Sequence, residues 1–203
     1  MITVDLPDYV HRLPLQFPDL AVQEYATLVG QLRGVGGIAD LEAVAAEAVD
    51  TAARAGAVLM ALVTPPAAAP AVLTGVLVEQ PADWDGDSVA TLRDSMEDVG
   101  GPDVRETLVL DTDLGPAVVA QRVPGAEQAR ARRPLTFQLQ AFIPTDDGLL
   151  LLTLASPSND GWDHHQLLFC QVVASARDAE RRPARVPDRE PDDDSYENHT
   201  YRL

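Results

Sequence analysis

The sequence predicts an α+β fold: an antiparallel β-sheet of about six strands flanked by helices, over residues 1–178, followed by a disordered polar tail over 179–203. Three observations predict it. Strand-like segments come in meander-like pairs with helical segments between the pairs, which favours antiparallel pairing over a doubly wound parallel sheet. Residues 134–144 alternate, with Leu135, Phe137, Leu139, Ala141 and Ile143 on one face and Thr136, Gln138, Gln140 and Phe142 on the other. Near the end of the domain, Trp162, His165, Phe169, Val172, Val173 and Ala176 form one helical stripe that must pack on the sheet.

Taken in order, residues 9–15 read as a short edge strand limited by Pro14. From Pro18 to Arg33, Val22, Tyr25, Ala26, Val29 and Leu32 recur at helical spacing, and a proline suits the first turn. Gly34, Gly36 and Gly37 break that helix. A second spans 40–54, with Leu41, Val44, Ala45, Ala48 and Ala52 on one face and Gly56 as its stop. Residues 57–63 are apolar on both faces, as a covered strand requires. A stiff proline and alanine loop leads to a returning strand at 71–78, where Gly75 is a candidate bulge.

Asp87 or Ser88 is expected to cap a third helix with Val89, Leu92, Met96 and Val99 as its buried stripe. Gly100, Gly101 and Pro102 end it, and two shorter strands follow at 107–110 and 116–123. After a polar loop, 124–133, comes the most informative unit: the alternating strand, a Thr145-Asp-Asp-Gly148 turn, an apolar strand at 149–155, a Ser156-Pro-Ser-Asn-Asp160 cap and the closing helix. It sets a fold class, a sheet edge and a register. The face carrying Gln138 and Gln140 is expected to be wet or loosely covered.

Composition narrows the function classes. No run of about 18 apolar residues exists to span a membrane. The first residues carry neither a basic nor an apolar signal region, and Cys170 is the single cysteine, which excludes an internal disulfide and a multi-cysteine metal site. Both point to the cytoplasm. All 15 basic residues are arginine, a composition that suggests a high-GC bacterial source of actinobacterial type. Without lysine there is neither a Schiff base nor an ordinary phosphate loop. The net charge is −17; residues 1–178 hold 25 acids against ten arginines, so the acidity belongs to the folded part. Such a surface repels phosphate backbones, so nucleic acid is not an expected partner; the charge reads first as a means of solubility and, in the sharper alternative, as an acidic face for a basic protein partner.

The candidate sites reduce to structural roles. Gly34 to Ala39 matches G-x-G-x-x-A, but a helix rather than a strand precedes it, so a linker between helices is the better reading. Asp83, Asp85 and Asp87 resemble the start of a calcium loop, yet Ser88 stands where glycine is required and Asp94 where the bidentate glutamate belongs. His164 and His165 diverge by about 100° on a helix and cannot chelate one ion together. His165 therefore belongs to the packed stripe and His164 to the solvent. Ser156 and Ser158 lie where the helix needs its cap, with no nucleophile elbow around them. Cys170 reads as a core or boundary thiol. No catalytic residue, cofactor or metal is therefore assigned. In the tail, Arg181, Arg182, Arg185 and Arg189 precede the acidic run Asp192 to Glu197, a composition that suits solvation or partner binding.

The C-terminal half resembles the PsbP-like group, which includes actinobacterial LpqN-type and DcrB-like proteins. The resemblance lies in Gly115-Pro-Ala-Val118, Leu135-Thr-Phe-Gln-Leu-Gln140, Leu151-Leu-Thr-Leu-Ala-Ser-Pro157, Trp162 and a helix ending Val173-Ala-Ser-Ala-Arg177. It covers about 65 residues well, but LpqN-type proteins are usually exported lipoproteins, and this chain shows neither signal nor lipobox cysteine. It implies an antiparallel sheet between helices serving as a protein-binding scaffold, and it transfers no catalytic residue. The expectation is thus a soluble, non-catalytic cytoplasmic protein that binds another protein, as a chaperone, adaptor or immunity-like partner. Its docking residues would be Thr136, Gln138, Gln140 and Phe142, a polar strand surface with one exposed aromatic. The alternative is a carrier or regulator with a small-ligand pocket between sheet and helices.

Overall fold

A computed structural model describes residues 2–33, 38–79, 84–99, 103–125, 135–146 and 148–179. The tail from residue 180, most of the 124–133 loop, the Gly34–37 linker and Asp83 lie outside the described residues. The elements are β1 (Ile2–Thr3), β2 (Val10–Arg12), α1 (Pro18–Arg33), α2 (Ile38–Arg54), β3 (Ala57–Val63), β4 (Ala71–Val78) and α3 (Gly86–Val99). Then come β5 (Val104–Thr112), β6 (Gly115–Arg122), β7 (Phe137–Thr145), β8 (Gly148–Ser156), α4 (Trp162–Ala174) and β9 (Arg177–Asp178).

The main sheet has seven strands in the order β2-β3-β4-β8-β7-β6-β5, all antiparallel; β1 and β9 pair separately. The predicted α+β class holds. The two-residue strands β1 and β9 carry too little periodicity to register in the sequence.

The β7–β8 unit is not at an edge. It lies in the middle of the sheet, and β2 and β5 are the edges. The physical reason is in β8: Leu149, Leu150, Leu152 and Leu154 are all buried, and a strand apolar on both faces needs neighbours and cover on both. It slots between β4 and β7, while α3 carries the chain from β4 across to the far edge at β5.

The register assigns the two faces. Ala61, Leu73, Leu154 and Leu139 form one row across β3, β4, β8 and β7. This row faces Leu168, Phe169, Val172 and Val173 of α4 in the principal core. On the opposite face Met60, Thr74, Thr153, Gln140 and Ala120 form a row from β3 to β6. Its ends are covered by different helices. Val49 and Ala52 of α2 pack on Met60, and Val89 and Met96 of α3 pack on Val118 and Ala120.

Three local expectations are corrected. The bulge lies in β3, where Val58 is the extra residue, and not at Gly75. Gly75 instead permits close approach, since a Cβ there would stand 3.1 Å from Leu152 and 3.2 Å from Leu59. Helix α3 is capped by Asp85, whose Oδ1 accepts the Ser88 N–H at 2.9 Å, rather than by Asp87 or Ser88. Helix α4 starts from Gly161 in the left-handed region (φ 67°, ψ 29°) with no side-chain cap. The serines knit the preceding turn: Ser156 Oγ donates to the Pro70 carbonyl and accepts from Ser158 N–H, and Ser158 Oγ accepts from Asp160 N–H.

Candidate functional site

Gln138 and Gln140, two of the four residues expected to dock a partner, lie on the sheet face that α2 and α3 cover, in the strip between those helices. Gln138 and Gln140 are partly exposed on β7, beside Thr153 and Ala155 of β8 in the observed register. Gln138 Nε2 donates to Thr136 Oγ1 at 2.9 Å, which holds two of the four expected residues together. Phe142 differs from expectation. It is half-buried and packs with Val89, Leu92, Met96 and Trp84 beneath α3, so it is no exposed aromatic. The alternation was read correctly; the covering helix could not be seen from β7 alone. Of α3's predicted stripe, Val89 and Met96 are buried and Leu92 partly so, while the side chain of Val99 is outside the described set.

The strip has a definite width. Helix α2 contacts β3, and α3 contacts β6 and β5, whose near strand and midline are four and four and a half strand spacings away, or about 19–21 Å. Packed helices stand about 8–10 Å apart, so the gap accommodates one further helix. Among the described residues its floor is partly exposed: Thr74, Leu151, Thr153, Ala155, Gln138 and Gln140. On the α2 side it opens into a recess of about 470 Å³, walled by Tyr25, Val44, Ala48, Met60, Val72 and Val76. Val44 is 56% exposed there, an apolar side chain with little cover. Helices α2 and α3 each carry four acids against one arginine in sequence, and Glu47 of α2 lines the recess. Sequence reasoning found the polar floor and missed the wall, because the recess joins side chains from two helices and two strands.

A second cavity, of about 420 Å³, lies on the α4 face at the open end of the sheet. Helix α4 covers β5 and β7, leaving the ends of β3 and β4 to an N-terminal strap. That strap is tied down by the β1–β9 pair, by Ser175 Oγ accepting the Asp5 N–H at 2.8 Å, and by a bidentate pair of Arg177 with Asp5 at 2.7 and 2.8 Å. Hydrogen bonding to Arg177 holds the Asp5 carboxyl below its ordinary pKa. Ile2, Val4, Leu6, Val58, Leu77 and Leu114 line the cavity, with Arg12 and Asp146 also among its walls.

The remaining candidates do not assemble. His165 is buried, and its Nε2 donates to the Ala69 carbonyl at 2.7 Å, whereas exposed His164 faces Asp163 at 3.2 Å. Burial lowers the His165 pKa, with the neighbouring His164 charge acting the same way and the Ala69 carbonyl opposing. Cys170 is half-buried on α4, and desolvation, aided by Glu106, raises its thiol pKa and disfavours the thiolate. Asp94 pairs with Arg93 at 2.9 Å and Asp85 caps α3, which separates the carboxylates of the calcium-like run. Among the described residues no group of three His, Cys, Asp or Glu could hold a metal ion, and no helix is long and apolar enough to cross a membrane. Asp103, 5% exposed at the start of β5, is a buried carboxylate that the sequence pattern did not mark; it packs directly against Gly125.

No family model and no curated protein matches the chain. Among solved structures it is similar to cyanobacterial PsbP from Synechocystis sp. PCC 6803, at 15% identity and a TM-score of 0.38, over 60% of this chain and 74% of that one.

Proposed function

We propose that this is a non-catalytic cytoplasmic protein-binding domain, an adaptor, chaperone or immunity-like partner, that receives a basic amphipathic helix in the strip between α2 and α3. The observation that carries it is the strip itself: one helix wide, apolar on the α2 side, polar on its floor through Gln138, Gln140 and Thr153, and flanked by two net-acidic helices. Thr136 belongs to this surface at the N-terminal end of β7. Phe142 supports it from below by seating α3. Kinship with the LpqN-type and DcrB-like branch is part of the same reading, and rests on the C-terminal motif. The single cysteine supports a reducing compartment.

The test is a titration with a synthetic Leu/Lys amphipathic helix and its Leu/Glu counterpart, read by backbone amide shifts. The basic peptide should bind and shift residues 138–140 and 151–155, and Thr153→Arg should weaken it by about tenfold or more. Binding that leaves those amides unmoved, or that ignores peptide charge, removes the reading.

The cavity under the N-terminal strap supports a second reading, a carrier for a small apolar ligand, because its volume lies in the range of ligand pockets and its lining is largely apolar. Its probe is 1-anilinonaphthalene-8-sulfonate. Fluorescence enhancement that Leu77→Arg abolishes supports a site there, and an unchanged signal in that variant places the dye elsewhere.

A further inference from the structure

Strand β6 ends at Arg122, whose Cα pairs with that of Gln138 on β7. Val118 and Ala120 of β6 pack against α3, and alternation along the regular β6–β7 ladder puts Arg122 on that same face. Its neighbour Gln138 belongs to the floor of the strip. The guanidinium therefore stands at the strip's margin, at the end where β6 and β8 finish and β7 begins.

Arg122 is only partly exposed and its Nε is buried, yet that Nε has no hydrogen-bond partner among the described residues. Arg54, Arg93 and Arg177 pair with Asp50, Asp94 and Asp5. Among the described residues no carboxylate pairs with Arg122, in a chain that carries 32 acids against 15 arginines. A buried N–H without an acceptor costs free energy, so its persistence in a folded domain needs an explanation. Beside it, Gln138 gives one Nε2 hydrogen to Thr136 Oγ1, and a primary amide has a second to give. The two side chains thus set hydrogen-bond donors next to one another at the mouth of the strip.

We infer that Arg122 receives one carboxylate of the helix that docks in the strip, a single glutamate or aspartate in a terminal turn of an otherwise basic helix. This rests on the docking proposed above and adds the residue that selects among basic helices. A guanidinium offers parallel N–H groups in one plane, the geometry that two carboxylate oxygens match. Arg122 lies at the end of the strip and not midway along it, which places the acid in the first or last turn. Elsewhere the acids of α2 and α3 oppose a carboxylate on the incoming helix, so attraction at one point and repulsion at the others act together.

The experiment uses the full chain and acetylated, amidated Leu/Lys helices. Each carries one Glu at a floor-facing position in its first, central or last turn, and each has a match with Gln at that position. Calorimetry gives the dissociation constants, and the Arg122 Nε–H cross-peak reports the contact. One terminal-turn Glu helix should bind about tenfold tighter than its Gln match and shift that cross-peak. Arg122→Gln, with its fold checked by far-UV dichroism, should erase the preference and still bind the parent Leu/Lys helix. Arg122→Lys keeps the charge without the planar fork; it should reduce the preference, and it carries the test if the first variant does not fold. A preference that survives undiminished in both variants overturns the inference. So does a wild type that binds the parent helix but prefers Glu nowhere, or only in the central turn; the docking itself then stands. A wild type that does not bind the parent helix overturns both.

Discussion

His165 Nε2 and the Ala69 carbonyl oxygen are 2.7 Å apart, so the closing helix is bonded to the loop between β3 and β4, 96 positions earlier in the chain. A carbonyl only accepts, so Nε2 carries the proton and the neutral ring presents Nδ1 as a buried acceptor with no partner among the described residues. Protonating Nδ1 would place a charge in a site sealed by Trp162 and the Ala69 loop. The geometry therefore selects the neutral form.

A pH dependence follows. The folded pKa of His165 is below the ordinary value of 6.5, so the unfolded chain takes up the proton first as pH falls. Stability from this group is full above about pH 6.5 and declines below it, at a limiting slope of about 1.4 kcal/mol per pH unit until the folded form also protonates. Urea midpoints measured from pH 8 to pH 5 should fall more steeply in the wild type than in His165→Gln. Parallel profiles would show that His165 does not carry the dependence.

Gly161 is the second point where the same loop governs α4. It holds a left-handed φ of 67°, and an added Cβ would run into the Ala67 carbonyl and Ala68. Gly161→Ala should cost about 2–4 kcal/mol, combining left-handed strain with overpacking. Chemical denaturation measures it, and a loss under about 1 kcal/mol would mean that the loop yields freely.

Phe142 and Gln140 share a face of β7 but not a role. Phe142→Ala should destabilise by about 1–3 kcal/mol through lost packing under α3. Gln140→Ala should stay within about 0.5 kcal/mol, because its side chain lies in the open strip. Equal losses at the two positions would mean that the strip is filled in solution.

The N-terminal strap should respond to Asp5→Asn without global unfolding. Both members of the Arg177 pair are exposed, so the melting temperature should barely move, as surface ion pairs contribute little. Amide exchange at Thr3 and Val4 should accelerate nonetheless, since the β1–β9 ribbon has only two residue pairs. Unchanged exchange would show that apolar contacts of Ile2, Val4 and Leu6 hold the strap unaided.

Local pattern in the sequence determined most elements. Residues 18–33, 57–63 and 71–78 were bounded as observed, because their periods and their proline and glycine stops are properties of the chain itself. The two faces of β7 and the buried setting of His165 were legible for the same reason. Neighbour relations were not. That β8 stands between β4 and β7, that α3 covers Phe142 but leaves Gln140 open, and that Gly161 starts α4 against the Ala67–Ala68 backbone were decided by tertiary packing. Periodicity states which side of an element is apolar. It does not state which distant element will cover that side, and the strip and the strap cavity both come from that second choice.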